Sequence, residues 1–170
     1  MNTREVGGAA SEEFSRSPEA RAFIAHIYKE EILGVLIRGH LYIEEKLTAL
    51  IERNLRRPKK LKLEKKSFSL KIELAVALAS EAEVLQEALV VLNRLRNRLS
   101  HNLRAKITRD DCVRLYKALP IKVQSFEVLD LESELELLMV SLTVLFGFLA
   151  GMLASASGAQ RAAHGTFLPR

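Results

Sequence analysis

The 170-residue sequence predicts an all-α protein, an up-and-down bundle of four to six helices. Three observations predict it. Apolar residues recur in steps of three and four along most of the chain, the spacing that gathers side chains on one face of a helix. Helix-start signals separate these stretches. The composition is 48% hydrophobic and 28% charged with no Trp, so the core must be built from Leu, Ile, Val and Ala, which suits packed helices. A single compact domain is expected over residues 17–155, with a flexible N-terminus at 1–16 and a flexible C-terminal tail at 156–170.

Ser17-Pro18 opens the first helical pattern, with Ser as N-cap and Pro in the first turn. Phe23, Ile27, Ile32, Leu36, Leu41, Ile43, Leu47 and Leu50 supply apolar faces as far as about Arg53. Gly34 and Gly39 interrupt the pattern, and one bent helix and two separate helices both fit it. Pro58 punctuates a basic stretch, after which Ser67 or Ser69 starts a helix carrying Ile72, Leu74, Val76 and Leu78. Ser80-x-x-Glu83 reads as a capping box for a helix with Val84, Leu85, Leu89, Leu92, Leu95 and Leu99, ending near His101 or Asn102. Thr108-x-x-Asp111 is a second capping box, and Pro120 ends the helix it opens. Residues 121–128 are ambiguous, the alternation of Ile121 and Val123 fitting a short extended piece, and from about Leu129 the pattern is helical again.

No charged residue occurs from 137 to 157. Such a segment serves as the central helix of a bundle or as the seam of a homodimer, and it is also just long enough to span a bilayer. The soluble uses are preferred, so no membrane partner is expected. The single cysteine, Cys112, excludes an intrachain disulfide and points to a reducing compartment, and the opening residues lack a secretory pattern. A cytoplasmic protein is the expectation.

The net charge of +5 permits nucleic-acid binding without requiring it. Its distribution is more telling. Residues 53–66 hold eight basic residues against one acidic, Glu64, whereas residues 127–136 hold five acidic and no basic residues. Arg56, Arg57, Lys59, Lys60 and Lys62 are therefore candidate nucleic-acid contacts, although a solvated turn explains the same charges. His26, His40 and His164 have no ligand spacing with one another or with Cys112, and no Gly-rich phosphate loop or acidic nuclease motif is present. No metal and no cofactor are expected.

Arg96-Asn97-Arg98-Leu99-Ser100-His101 is the most informative segment. An imidazole can exchange a proton with a ribose 2′-hydroxyl or a leaving oxygen, a guanidinium can hold a phosphate bidentately, and a carboxamide can orient either group. Arg94, Asn97 and His101 share a helix face, whereas Arg96 and His101 lie about 140° apart on an ideal helix. A second subunit is one way to complete such a site. A helix-terminal His among solvent-facing arginines is the plain alternative.

The segment resembles the HEPN superfamily, whose ribonuclease members carry an Arg, a short spacer and a His, often with Asn directly after the Arg. Here those positions are Arg96, Asn97 and His101, with four residues between Arg and His. The chain looks most similar to the mannitol repressor (MltR-like) family, through residues Phe68, Ser69, Lys71, Ile72, Leu74, Ala75, Ala77 and Leu78 and through Glu44 and Leu47, over roughly residues 25–120. The resemblance implies a helical bundle, a homodimer with two motifs facing a shared cleft, His101 as acid-base group, Arg96 as phosphate holder and Asn97 as orienter. Arg94 and Arg98 are secondary RNA contacts on the same reading. Two functions follow as expectations. The first is a non-catalytic helical regulator or interaction protein, in its most specific form a mannitol-operon-type transcription regulator. The alternative is a metal-independent RNA endonuclease, a toxin or defence effector with an antitoxin or regulatory protein as partner.

Overall fold

The computed structural model describes residues 17–27, 31–102, 104–120 and 133–164. These residues form six α-helices and three 3-10 turns: α1 Pro18–Ile27, α2 Ile32–Asn54, α3 Phe68–Leu78, α4 Gln86–His101, α5 Arg109–Lys117 and α6 Glu134–His164, with turns at Pro58–Lys60, Leu63–Lys65 and Ser80–Leu85. The protein is an all-α bundle in which consecutive helices are neighbours, and the longest contact runs between α2 and α6.

The caps follow the local chemistry. The Ser17 hydroxyl accepts from the Ala20 amide at 3.0 Å and starts α1. Ser67 accepts from Leu70 at 3.3 Å and starts α3. Thr108 and Asp111 form the reciprocal capping box expected at α5. A further box, absent from the sequence expectations, starts α6: the Glu136 amide donates to Ser133 and the Ser133 amide donates to Glu136, at 3.2 and 3.1 Å. Each such cap stabilises its helix by about 1 kcal/mol.

Two expectations are corrected. Ser80 caps nothing, because Ala79 ends α3 and directly begins the 3-10 turn, so Ser80 is already inside that turn. The tighter winding rotates successive side chains further than an α-helix does, so Val84 faces solvent while Ala82 and Leu85 are buried. α4 therefore starts only at Gln86. The choice between one bent helix and two is also settled: α1 ends at Ile27, and Gly34 and Gly39 both lie inside α2. The ambiguous segment 121–128 and the N-terminus 1–16 lie outside the described residues. At the other end α6 continues to His164, past the expected limit of the domain.

α2 and α6 form the centre. Val35, Leu36, Ile43, Leu47, Leu50 and Ile51 from α2 pack with Leu137, Leu138, Leu142, Leu145, Phe146 and Leu149 from α6, all fully buried. Gly39 makes this approach possible, since a Cβ there would lie 2.5 Å from a methyl carbon of Leu142. Phe23 stacks on Phe146 with ring centroids 4.4 Å apart, and Tyr42 meets both rings edge-on, tying α1 to this centre. Residues Glu134–Ser155 are long and apolar enough to cross a membrane by length and composition. In the bundle one face of this stretch is core, and Val140, Val144, Phe148 and Met152 are half-buried on another.

Candidate functional site: a polar pocket beneath α4

α4 turns its apolar stripe, Ala88, Leu89, Leu92 and Leu95, into the core. Its spacing of three and four then places Asn93, Arg96 and Asn97 on one adjoining face. That face meets α2 and the start of α3 and closes a pocket of about 270 Å³. Asn93, Arg96 and Asn97 form one wall, Lys66, Ser67, Phe68 and Ser69 form a second, and His40 and Glu44 of α2 form the third. The Arg96 guanidinium donates to the Asn97 carboxamide oxygen at 3.1 Å, and the Asn97 amide donates to Asn93 at 3.3 Å. Arg96 is exposed and Asn97 half-buried.

His40 is 3% exposed. Its Nδ1 lies 3.8 Å from a carboxylate oxygen of Glu44, and its ring tilts against Phe68 at 4.2 Å. Its Nε2 is buried without a hydrogen-bond partner. Burial pulls the imidazole down to about 4, Glu44 opposes that, and the positive charges of Arg96 and Lys71 reinforce it. His40 is therefore neutral at physiological pH. The other Glu44 oxygen is held by Lys71 of α3 at 2.6 Å, so a buried ammonium offsets the one carboxylate of the pocket.

The motif is divided by its helix geometry. Arg96 and Asn97 line the pocket; His101 does not, and stands exposed as the last residue of α4. Arg94 is exposed on the outer face. Arg98 is held by Asp111: its two terminal nitrogens reach the two carboxylate oxygens at 2.9 and 2.5 Å, and one also donates to the Lys106 carbonyl at 3.2 Å. Asp111 loses hydration on burial, which alone would raise its pKa, but hydrogen bonds from Arg98 and Thr108 outweigh this and hold it at about 2. Arg98 thus joins α4 to the cap of α5. Cys112, next along, is buried, and desolvation with the nearby Asp111 and Glu134 charges pushes its thiol up to about 11.

The basic stretch forms a surface of its own. Leu63 is buried and anchors it, while Lys59 and Lys60 on the first 3-10 turn, Arg56 and Arg57 just before it and Lys62 between the two turns are exposed. Lys62, between the two turns, adopts a left-handed conformation, φ 49°. None of these five is ion-paired among the described residues. The stretch ends at Lys66, which is also in the pocket wall. Among the described residues no cluster of three His, Cys, Asp or Glu side chains is placed to hold a metal ion.

Sequence reasoning missed His40, Glu44 and Asn93. Asn93 was legible, being three and four residues before Arg96 and Asn97. His40 and Glu44 stand four apart on α2, but only the packing of α2 against α4 brings them to Arg96. No family model, curated protein or solved structure matches the chain.

Proposed function

We propose that this chain is a non-catalytic helical regulator that binds nucleic acid through its basic turns, with a HEPN-like bundle acting as a homodimeric scaffold. The carrying observation is the display of Arg56, Arg57, Lys59, Lys60 and Lys62 on a segment anchored by buried Leu63. Five exposed cations without ion-pair partners among the described residues, within seven residues of chain, suit a phosphate backbone, where each contact releases counterions. The exposed stripe Leu33, Ile37 and Leu41 on α2 supports a partner or second copy, because these positions repeat every four residues on one helix face.

Fluorescence anisotropy with labelled RNA and DNA at increasing salt tests the reading. Wild type binds with a steep salt dependence. Replacing Lys59, Lys60 and Lys62 together by Ala makes the slope of log K against log salt shallower by about 2 to 3 and weakens binding at low salt. Unchanged low-salt affinity in that variant rejects the proposal.

A second reading, metal-independent RNA cleavage, draws on the free standing of His101. An exposed imidazole at the end of α4 is open to a substrate or to an Arg96 from a second copy. It predicts RNA fragments with 2′,3′-cyclic phosphate ends that vanish in His101→Ala and Arg96→Ala. Cleavage unaffected by either substitution rejects it.

A further inference from the structure

The pocket beneath α4 combines a set of donors with one buried acceptor that has nothing to accept from. The donors are the Arg96 guanidinium, the Lys66 ammonium, the Asn93 and Asn97 carboxamides and the first turn of α3. In that turn the Ser67 hydroxyl already serves Leu70, while the amides of Phe68 and Ser69 have no intrahelical partner. Positive charge and open amides at a helix start favour an oxyanion. The carboxylate of Glu44 does not oppose one, since Lys71 already matches its charge.

His40 adds the second half. Glu44 faces Nδ1, which favours the tautomer with its proton there, and that leaves a lone pair on Nε2. Nε2 is unpartnered, and His40 lines the pocket. A buried acceptor without a donor is uncommon in folded proteins and calls for a hydroxyl or amine. Nε2 is closed off from bulk water in the free protein, so a ligand reaches it as a wall side chain yields. Arg96, long and exposed, is the wall that can swing toward an incoming anion.

We infer that this pocket binds a phosphate group with a neighbouring sugar hydroxyl, the phosphate held by Arg96, the asparagines and the start of α3, and the hydroxyl donating to His40 Nε2. The volume of about 270 Å³ holds a phosphate and a pentose. The ligand is a free sugar phosphate or the ribose phosphate of an RNA strand, whose backbone can continue from Lys66 along the basic turns. Only this second source rests on the nucleic-acid reading above; the pocket stands on its own residues.

The test titrates the full chain with adenosine 3′-monophosphate and with its 2′-deoxy analogue. Affinity is read by calorimetry and the His40 imidazole by nitrogen-detected NMR. The ribonucleotide binds roughly tenfold more tightly than the deoxynucleotide, as expected when a buried hydrogen bond is lost. It also shifts the Nε2 resonance, a readout that needs no variant at the buried histidine. Arg96→Ala, at an exposed position, weakens both ligands by roughly tenfold or more with an unchanged circular dichroism spectrum. Equal affinities for the two nucleotides, an unmoved Nε2 signal or full binding by Arg96→Ala overturns the inference. A single-stranded RNA with a 3′-phosphate identifies the source. Tighter binding that falls to the nucleotide level in the Lys59, Lys60, Lys62 triple variant assigns an RNA strand, and binding no tighter than the nucleotide assigns a free sugar phosphate. Nucleotide discrimination without salt-dependent strand binding keeps the pocket and removes the nucleic-acid reading.

Discussion

At the scale of single residues, two buried titratable groups set the acid stability. His40 has a folded-state pKa of about 4 against an ordinary 6.5. Between those values the unfolded chain binds a proton that the folded chain refuses. Stability from this site is therefore complete above pH 6.5 and is lost as pH falls to 4, by on the order of 3 kcal/mol. Asp111 takes over below, with about 2 folded against an ordinary 3.8. Its contribution is present above pH 3.8 and is lost as pH falls through 2. Urea midpoints measured from pH 7 to pH 4 should drop steadily for wild type, and His40→Leu, which removes both the orphaned nitrogen and the titration, should flatten that slope. Arg98→Ala should cost about 1 to 3 kcal/mol at pH 7, because it leaves the nearly buried Asp111 carboxylate with Thr108 alone. A cost below about 0.5 kcal/mol would show that Arg98 is an ordinary surface charge.

At the scale of elements, Gly39 and Gly151, one from each helix of the central pair, have opposite meanings. Gly39 is buried on α2 with Leu142 of α6 directly over it. Gly39→Ala pushes a fully buried leucine out of its place and should destabilise by about 1 to 3 kcal/mol in thermal or urea unfolding. Gly151 on α6 has nothing within 4 Å of an added Cβ. Gly151→Ala should stabilise by up to about 1 kcal/mol, since alanine gains in helix propensity without a clash. The same signs in both variants would contradict the α2–α6 packing. Both glycines look alike in sequence, as small residues in helical patterns. What separates them is which face of each helix meets a neighbour.

At the scale of the whole molecule, the uncharged stretch of α6 decides what kind of protein this is. Its most buried positions, Leu137, Leu138, Leu142, Leu145, Phe146 and Leu149, interlock with α2, and Phe146 carries the stacked ring of Phe23 and the Lys46 ammonium 5.6 Å from its centroid. This face of α6 is the centre of the bundle among the described residues, and a bundle built around it accounts for the apolar stretch without a membrane. The full chain should stay in the supernatant after ultracentrifugation without detergent, and Leu145→Ala should lower its stability by about 2 to 5 kcal/mol. Recovery only from the detergent fraction would instead make α6 a membrane span.

The sequence by itself determined the helical class, because periodicity and capping are local. The three- and four-residue steps of α4 and the Thr108–Asp111 box are written in neighbouring residues, and so is the basic run at 53–66. The sequence also marked Arg96 and Asn97. It paired them with His101 on the same segment, while the folded chain places them against His40, and that choice was beyond any local reading. Arg96 and His40, 56 positions apart, line one pocket only because α2 packs against α4. In the same way the sequence offered Arg98 as a secondary RNA contact, and only tertiary structure gave it Asp111 as a partner. Helix geometry fixes which side chains share a face, and packing decides what that face encloses.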